Sequence, residues 1–246
     1  NAVAADEQTL HRAHAHTPLA VMLVLTQLAV GVFLADAVAR WLGVLDGGQG
    51  RPVNAVVGGL TGVVALAAST LHLGRPLRAY RALIGFRHSW LSREVVAFAA
   101  FAGLAVADAA ITVMHIDWVP VSAPARTAVV AVAGIAGVVC SMLVYAVTGR
   151  TWWRLRWTAP RFAITTAACG LAVMLISAAA TDGASVGAVA VVLALVTTAK
   201  LGADALVVRH RRAGATDDLA GTAALLLGDL RGAAMWRVAL AVAGGV

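Results

Sequence analysis

Long apolar segments alternate with short polar connections along this chain. The first three complete apolar segments lie at about residues 18–42, 53–73 and 91–115. The fourth ends at about residue 148, and the fifth and sixth lie at about 162–180 and 185–208. A seventh begins near Ala233. A helix needs about 20 predominantly apolar residues to cross a bilayer, and each complete segment is close to or above that length. The pattern predicts an all-α, polytopic transmembrane helix bundle with six complete spans and the start of a seventh.

Composition agrees with this prediction and bears on the choice of partner. The chain is 61% hydrophobic and 13% charged, and its mean hydropathy is +0.85. Its net charge of +7 does not indicate a nucleic-acid partner, because the basic residues gather in connections between apolar segments. Membrane topology produces this distribution, and membrane lipid is therefore the expected environment.

The basic residues also predict an orientation. The connections after the second, fourth and sixth spans hold Arg75, Arg78, Arg81, Arg87, Arg93, Arg150, Arg154, Arg156, Arg161, Arg209, Arg211 and Arg212. The opposite connections hold only Arg40, Arg51 and Arg126. By the positive-inside rule, the N-terminus and the connection after the second span face the cytoplasm of a bacterial inner membrane. An arginine-rich docking surface for another subunit would give the same distribution.

Residues 1–17 form a polar lead-in to the membrane domain, which covers residues 18–246. Its three histidines, at positions 11, 14 and 16, allow a metal site or a hydrated tail, and the absence of a further nearby ligand favours the tail. Because the chain starts at Asn1 rather than Met, we expect a longer protein with an iron–sulfur domain fused before this segment. Cys140 and Cys169 lie inside apolar segments, which argues against a disulfide or a thiolate metal site.

The chain is organised around residues 71–94, the pivotal segment, which joins the second and third spans. Gly74 and Pro76 are typical of a helix stop and a helix start. From Pro76 to Ile84 the apolar residues recur at helical spacing with arginines beside them, and Gly85 then ends the helix. This pattern predicts an amphipathic helix along the membrane surface.

His72 and Glu94 bound the pivotal segment, and each has two interpretations. The His72 imidazole can hydrogen-bond a quinone carbonyl and exchange a proton near neutral pH, or it can simply face lipid headgroups. Glu94 can accept a proton beside the same quinone. Alternatively, Ser92 caps the third span and Glu94 complements the dipole of its first turn.

Other polar residues lie inside the predicted spans. Asp108 is either part of a proton relay or a protonated residue bonded between helices. Asp36 lies near a span end and is expected to reach water, whereas the deeper Gln27 is expected to bond another helix. We expect no haem and no metal ligand set, because no span has an interior histidine: the candidates are at span ends, namely His72, His88, His115 and His210.

Several short motifs resemble the membrane-anchor subunit of the dimethyl sulfoxide reductase family (the DmsC type). Those in the pivotal segment are His72-Leu-Gly, Pro76-Leu-Arg-Ala, Leu91-Ser92 and Glu94. Less specific matches are Pro18-Leu, Gln27, Val30-Gly31, Val144-Tyr145 and Trp236-Arg-Val. Family members have eight spans, so the resemblance implies that two spans are incomplete or missing here.

The resemblance implies a role in anaerobic-type respiratory electron transfer. Such anchors carry no haem, bind menaquinol, and hold an iron–sulfur subunit and a molybdopterin catalytic subunit to the membrane. This chain would oxidise quinol without acting on the terminal substrate. The implied catalytic residues are His72 and Glu94, with candidate quinol contacts at Gly74, Arg75, Arg78 and Ser92. The candidate docking residues are Arg81, Arg87, Arg150, Arg154 and Arg156.

A small-solute or ion transporter is the alternative function. Transporters usually contain inverted repeats and helices broken near the middle of the membrane. We find no internal repeat, and the polar residues cluster toward one surface. Co-purification with molybdenum and iron–sulfur polypeptides would distinguish the two functions.

Overall fold

The computed structural model describes residues 17–44, 51–72, 80–149, 153–181, 183–212, 227–228 and 230–244. These residues form helices and turns without a β-strand. The helices are α1 (Thr17–Trp41), α2 (Arg51–His72), α3 (Arg81–Ile84), α4 (Trp90–Val113), α5 (Ala123–Ala146), α6 (Leu155–Thr181), α7 (Val186–Arg212) and α8 (Arg231–Gly244). Six of them are long and apolar enough to cross a membrane, which confirms the predicted all-α fold. The 14-residue α8 lies where the start of a seventh span is predicted.

Neighbouring long helices run antiparallel, with α1 and α6 as a parallel pair. In α4 and α5, for example, Phe98 lies beside Gly137 and Phe101 beside Gly134. One end of the bundle, called the loop end here, contains the end of α2 at His72 and the start of α4 at Trp90. The other end, called the far end, contains the start of α2 and the start of α5.

Glycines allow the helices to approach closely. Gly31 of α1 and Gly170 of α6 touch backbone to backbone, so that a Cβ on either would collide with the other helix. Gly58 lies against the Phe33 ring, where a Cβ would be 2.6 Å from the ring carbon. Phe33 in turn packs edge-to-face on Phe101, with 5.9 Å between ring centroids. These contacts form the apolar centre of the bundle, because small residues let large rings fill the space between helices.

An ion-pair network, the Asp108 network, joins three helices at the far end. Asp108 of α4 is 3% exposed and accepts hydrogen bonds from Arg51 of α2, at 2.8 and 3.1 Å. It also accepts one from Arg126 in the first turn of α5, at 2.9 Å. A second Arg51 nitrogen donates to Thr112 at 2.7 Å. Two arginines of the far-end connections are therefore folded inward onto one carboxylate.

Asp36 is also paired inside the bundle, and the expectation that it reaches water was wrong. It is 2% exposed, binds Arg40 one turn further along α1 at 2.8 Å, and accepts a hydrogen bond from Asn54 of α2 at 2.9 Å. Packing of α2 over this face of α1 excludes the solvent. Gln27 is buried as expected, but its Oε1 has no hydrogen-bond partner within the described residues, so the expected bond to another helix is not seen at that atom.

Some helix boundaries differ from the prediction. The fifth span was expected to start at Phe162, but α6 begins at Leu155 and includes Pro160. Pro160 is the sixth residue of α6, beyond the first turn, so its missing N–H leaves the helix without the backbone hydrogen bond to residue 156. The predicted surface helix is observed only as the single turn α3, which ends at Gly85 as expected; residues 73–79 lie outside the described part of the chain.

The contact between Gly31 and Gly170 gives a test of the packing. We expect Gly170→Ala to lower the free energy of unfolding by about 1–3 kcal/mol, because the new methyl group overpacks the crossing of α1 and α6. Gly202→Ala is the matched control, since no atom lies within 4 Å of a Cβ there. Thermal unfolding of the purified protein in detergent measures both. Equal unfolding temperatures for the two variants would contradict the predicted packing.

Candidate functional site

The start of α4 carries Glu94 into the bundle. Ser89 caps this helix, and its Oγ accepts a hydrogen bond from the Ser92 backbone N–H at 3.3 Å. The alternative interpretation, in which Ser92 caps this helix, is wrong, because α4 already begins at Trp90. Glu94 is consequently in the second turn rather than the first, about 6 Å along the axis from Trp90. Because the helix dipole acts mainly on charges in the first turn, it explains the position of Glu94 less well.

The Glu94 carboxylate is buried between α4 and α5. It is 6% exposed, and Ser141 of α5 is 1% exposed. The Ser141 hydroxyl donates a hydrogen bond to Glu94 Oε1. No arginine, lysine or histidine pairs with Glu94 within the described residues. A buried carboxylate held by a neutral hydroxyl can gain or lose a proton without breaking an ion pair.

Aromatic side chains lie beside this pair at the loop end. Tyr145 is one helical turn beyond Ser141 on α5, toward the loop end. The Tyr145 ring packs edge-to-face on Trp153, with 5.1 Å between centroids. It also contacts Phe162 of α6, at 5.9 Å. We call Tyr145, Trp153 and Phe162 the aromatic cluster; it gives the polar pair an apolar neighbour suited to a flat ring.

Arg93 fastens the turn that precedes α4. Its guanidinium donates to the backbone carbonyls of Phe86, at 3.0 Å, and Arg87, at 2.8 Å, and it stacks over Trp90 at 4.2 Å. Gly85 lies so close to α4 that a Cβ there would be 2.5 Å from Ser92 Oγ. The last part of the pivotal segment is therefore fixed against the helix that carries Glu94.

The backbone of His72 lies at the same end as Glu94. Gly62 of α2 faces Phe101 of α4, and these helices are antiparallel. His72 is ten residues beyond Gly62, and Leu91 is ten residues before Phe101, so the end of α2 is level with the first turn of α4. The His72 side chain and all of Gly74, Arg75 and Arg78 lie outside the described part of the structure, and their predicted quinol contacts stay predictions.

Asp108 is not brought together with this site. It lies fourteen residues after Glu94 on the same helix, about 21 Å away along the axis. Its two arginine partners explain its burial as part of a structural network between helices. The predicted relay role has no geometric support here, because buried Phe98, Phe101 and Ala105 occupy α4 between the two carboxylates.

The predicted docking arginines are exposed at the loop end wherever they are described. Arg81 begins α3, Arg87 lies in the turn before α4, and Arg154 and Arg156 lie at the start of α6. Arg150 is outside the described residues. Leu83 and Ile84 are 68% and 75% exposed beside the first pair. This end of the molecule is both basic and apolar.

The described residues contain no group of three or more histidine, cysteine or acidic side chains that could hold a metal ion. Of the histidines considered for haem, His72 ends α2, His88 lies in the turn before α4 and His115 follows α4. His210 is in the last turn of α7, with its side chain undescribed.

Two features of this site were not predicted from the sequence: the contact of Ser141 with Glu94, and the hydrogen bonds of Arg93 to the turn before α4. Depth was the available signal for Ser141. It lies five residues before the end of α5, and Glu94 lies four after the start of α4. In consecutive antiparallel spans, residues at equal distance from the shared end lie at the same membrane depth. Nothing in the sequence showed that the two side chains face each other.

Comparison with known proteins matches almost the whole chain to one family. The family described as "DMSO reductase anchor subunit (DmsC)" matches residues 10–244, which confirms the resemblance found in the sequence. A curated relative is a sulfite dehydrogenase subunit from Allochromatium vinosum, 40% identical over 89 residues. That match covers 33% of this chain and 27% of the relative, so it spans about a quarter of the relative's length. No solved structure matches the chain.

The Asp108 network predicts that loss of the Asp108 charge strongly lowers the free energy of unfolding. Asp108→Asn leaves two buried arginines without their carboxylate, and we expect a loss of about 3–5 kcal/mol in the free energy of unfolding. Asp117→Asn, in the exposed turn between α4 and α5 at the far end, is the control and should change the free energy of unfolding by less than about 0.5 kcal/mol. Unfolding in detergent, followed by circular dichroism, compares the two. The network would be unimportant for stability if both variants unfolded like the wild type.

Proposed function

Because the chain belongs to the DMSO reductase anchor subunit (DmsC) family, we propose that it binds menaquinol and passes its electrons to an iron–sulfur subunit or a fused iron–sulfur domain. The family membership makes the chain a multi-pass membrane anchor of a molybdoenzyme complex, and it counts against the transporter alternative. The observation that supports a quinol site at this position is the hydrogen-bonded pair formed by Glu94 and Ser141.

Quinol oxidation releases two protons and two electrons, so the site needs proton acceptors close to an exit for electrons. Glu94 suits the first requirement, because it is buried near the loop end and has no cationic partner within the described residues. His72 is the second proposed acceptor, since α2 ends level with the start of α4. A positioned acid–base group in such a step typically contributes a hundredfold or more to the rate.

The surroundings of Glu94 suit a naphthoquinol. Such a ring is flat and apolar, with two hydroxyl groups at its edges. The aromatic cluster supplies ring surfaces one helical turn from Ser141, and aromatic contacts of this kind stabilise each other by about 0.5–1.5 kcal/mol. Gly74, Arg75, Arg78 and Ser92 are the further quinol contacts that we propose, the first three on the basis of sequence alone.

The exposed surface at the loop end suits an electron-transfer partner. Arg81, Arg87, Arg154 and Arg156 present positive charge around the site, and Arg150 is proposed to join them. An acidic patch on the iron–sulfur partner would be attracted and oriented by this charge. Docking here brings the nearest cluster to the end of the bundle that holds Glu94. We propose that this end faces the cytoplasm of a bacterial inner membrane, in accordance with its excess of arginine.

The opposite direction of electron flow is a second candidate. The relative from Allochromatium vinosum is named as part of a sulfite dehydrogenase, and a dehydrogenase removes electrons from its substrate. A site with a carboxyl group and an imidazole can return protons to a quinone as readily as it accepts them from a quinol. The same residues would therefore serve quinone reduction, and the terminal substrate is left open.

Replacement of Glu94 tests the proposal. In membranes containing the whole complex, we expect Glu94→Gln and His72→Ala each to slow the reduction of the partner's iron–sulfur clusters by a menaquinol analogue by about a hundredfold. The rate is followed by rapid freezing and electron paramagnetic resonance. Dithionite reduces the clusters without quinol, and it should give the full signal in both variants if the complex is assembled.

The control for assembly decides how the result is interpreted. Asp117→Asn changes a carboxylate outside the site and should retain the wild-type rate with quinol and with dithionite. Normal quinol-dependent reduction in both Glu94→Gln and His72→Ala would refute this site. Loss of the dithionite signal together with the quinol signal would assign the residues to assembly instead.

A further inference from the structure

Ser141 is the residue that holds the Glu94 carboxylate. The two side chains come from different helices, 47 residues apart in sequence, and both are more than nine-tenths buried. Ser141 donates to Oε1 of Glu94. The other oxygen, Oε2, has no hydrogen bond to any described residue. One carboxylate oxygen is thus fixed by Ser141, and the other is available to accept a proton.

The position of Ser141 is governed by tight packing around it. One turn away on α5, Gly137 lies against the Phe98 ring, where a Cβ would be 2.6 Å from a ring carbon. This contact sets the separation of α4 and α5 next to the pair. Because Phe98 is also one turn from Glu94 on α4, both side chains of the pair are held by the same helix contact.

We propose that Ser141 is a positioning residue for quinol oxidation: it fixes the Glu94 rotamer so that Oε2 faces the quinol. This inference rests on the proposed function. In the step concerned, a quinol O–H bond breaks and its proton forms an O–H bond with Oε2, while the electrons leave to the iron–sulfur acceptor of the partner. Ser141 itself neither gains nor loses a proton overall, and it acts only through Glu94.

A purely structural serine is the competing interpretation, and the chain contains a good example. Ser177 of α6 is 2% exposed, and its hydroxyl donates within its own helix to the Met174 carbonyl at 3.0 Å. Removal of that hydroxyl changes burial and volume as Ser141→Ala does, but it leaves the site alone. Ser177→Ala is therefore the matched control.

The experiment compares three variants in membranes containing the full complex. We expect Ser141→Ala to lower the rate of cluster reduction by a menaquinol analogue roughly tenfold to a hundredfold, the loss typical of a hydrogen bond to a charged group. Ser141→Thr keeps a hydroxyl and should recover most of that rate. Ser177→Ala should match the wild type, and dithionite should give the full cluster signal in all three.

A double variant separates the positioning role from other effects. If Ser141 acts through Glu94, Ser141→Ala should cause little further loss in a Glu94→Gln background, because coupled residues are not additive. A full additional loss there would overturn the inference, as would a wild-type rate for Ser141→Ala while Glu94→Gln is slow. An unaffected Glu94→Gln protein would instead refute the proposed function, so the two failures are distinguishable.

Discussion

The three buried carboxylates of the described residues have different partners, and the partner decides whether a carboxylate can exchange a proton without breaking an ion pair. Asp36 and Asp108 are neutralised by arginines, whereas Glu94 receives only the hydroxyl of Ser141. A charge in a low-dielectric interior is costly unless it is paired. Protonation of either aspartate would break an ion pair, but protonation of Glu94 would not. Glu94 is therefore the one of these three that is suited to exchange protons.

An apolar layer separates this carboxylate from the far-end ion pairs. Val30, Phe33 and Phe101 fill the middle of the bundle and are almost completely buried. Their packing depends on glycines that bring the helices close together, among them Gly58 and Gly134. Ion pairs stabilise the far end, and close side-chain packing stabilises the centre. The polar site at the loop end therefore does not also have to stabilise the fold.

The arrangement is consistent with the proposed function, in which a lipid-soluble quinol passes electrons to a water-soluble partner. Glu94 lies one turn inside the loop end of the bundle, and the exposed arginines lie at that same end. Arg93 links these two regions, because it belongs to α4 and binds the carbonyls of the arginine-bearing turn. If docking moved that turn, these hydrogen bonds would transmit the movement to the start of α4, which carries Glu94.

The sequence by itself determined the six spans and the family resemblance, because the hydrocarbon interior requires long apolar helices and the motifs are local. The structure decided which polar residues meet. Helices that are apolar on every side do not reveal from their periodicity which face is buried, so the partners of Asp36 and Asp108 and the pairing of Glu94 with Ser141 could not be predicted. Those contacts depend on the rotation and depth of each helix, which are set only when side chains from distant parts of the chain pack together.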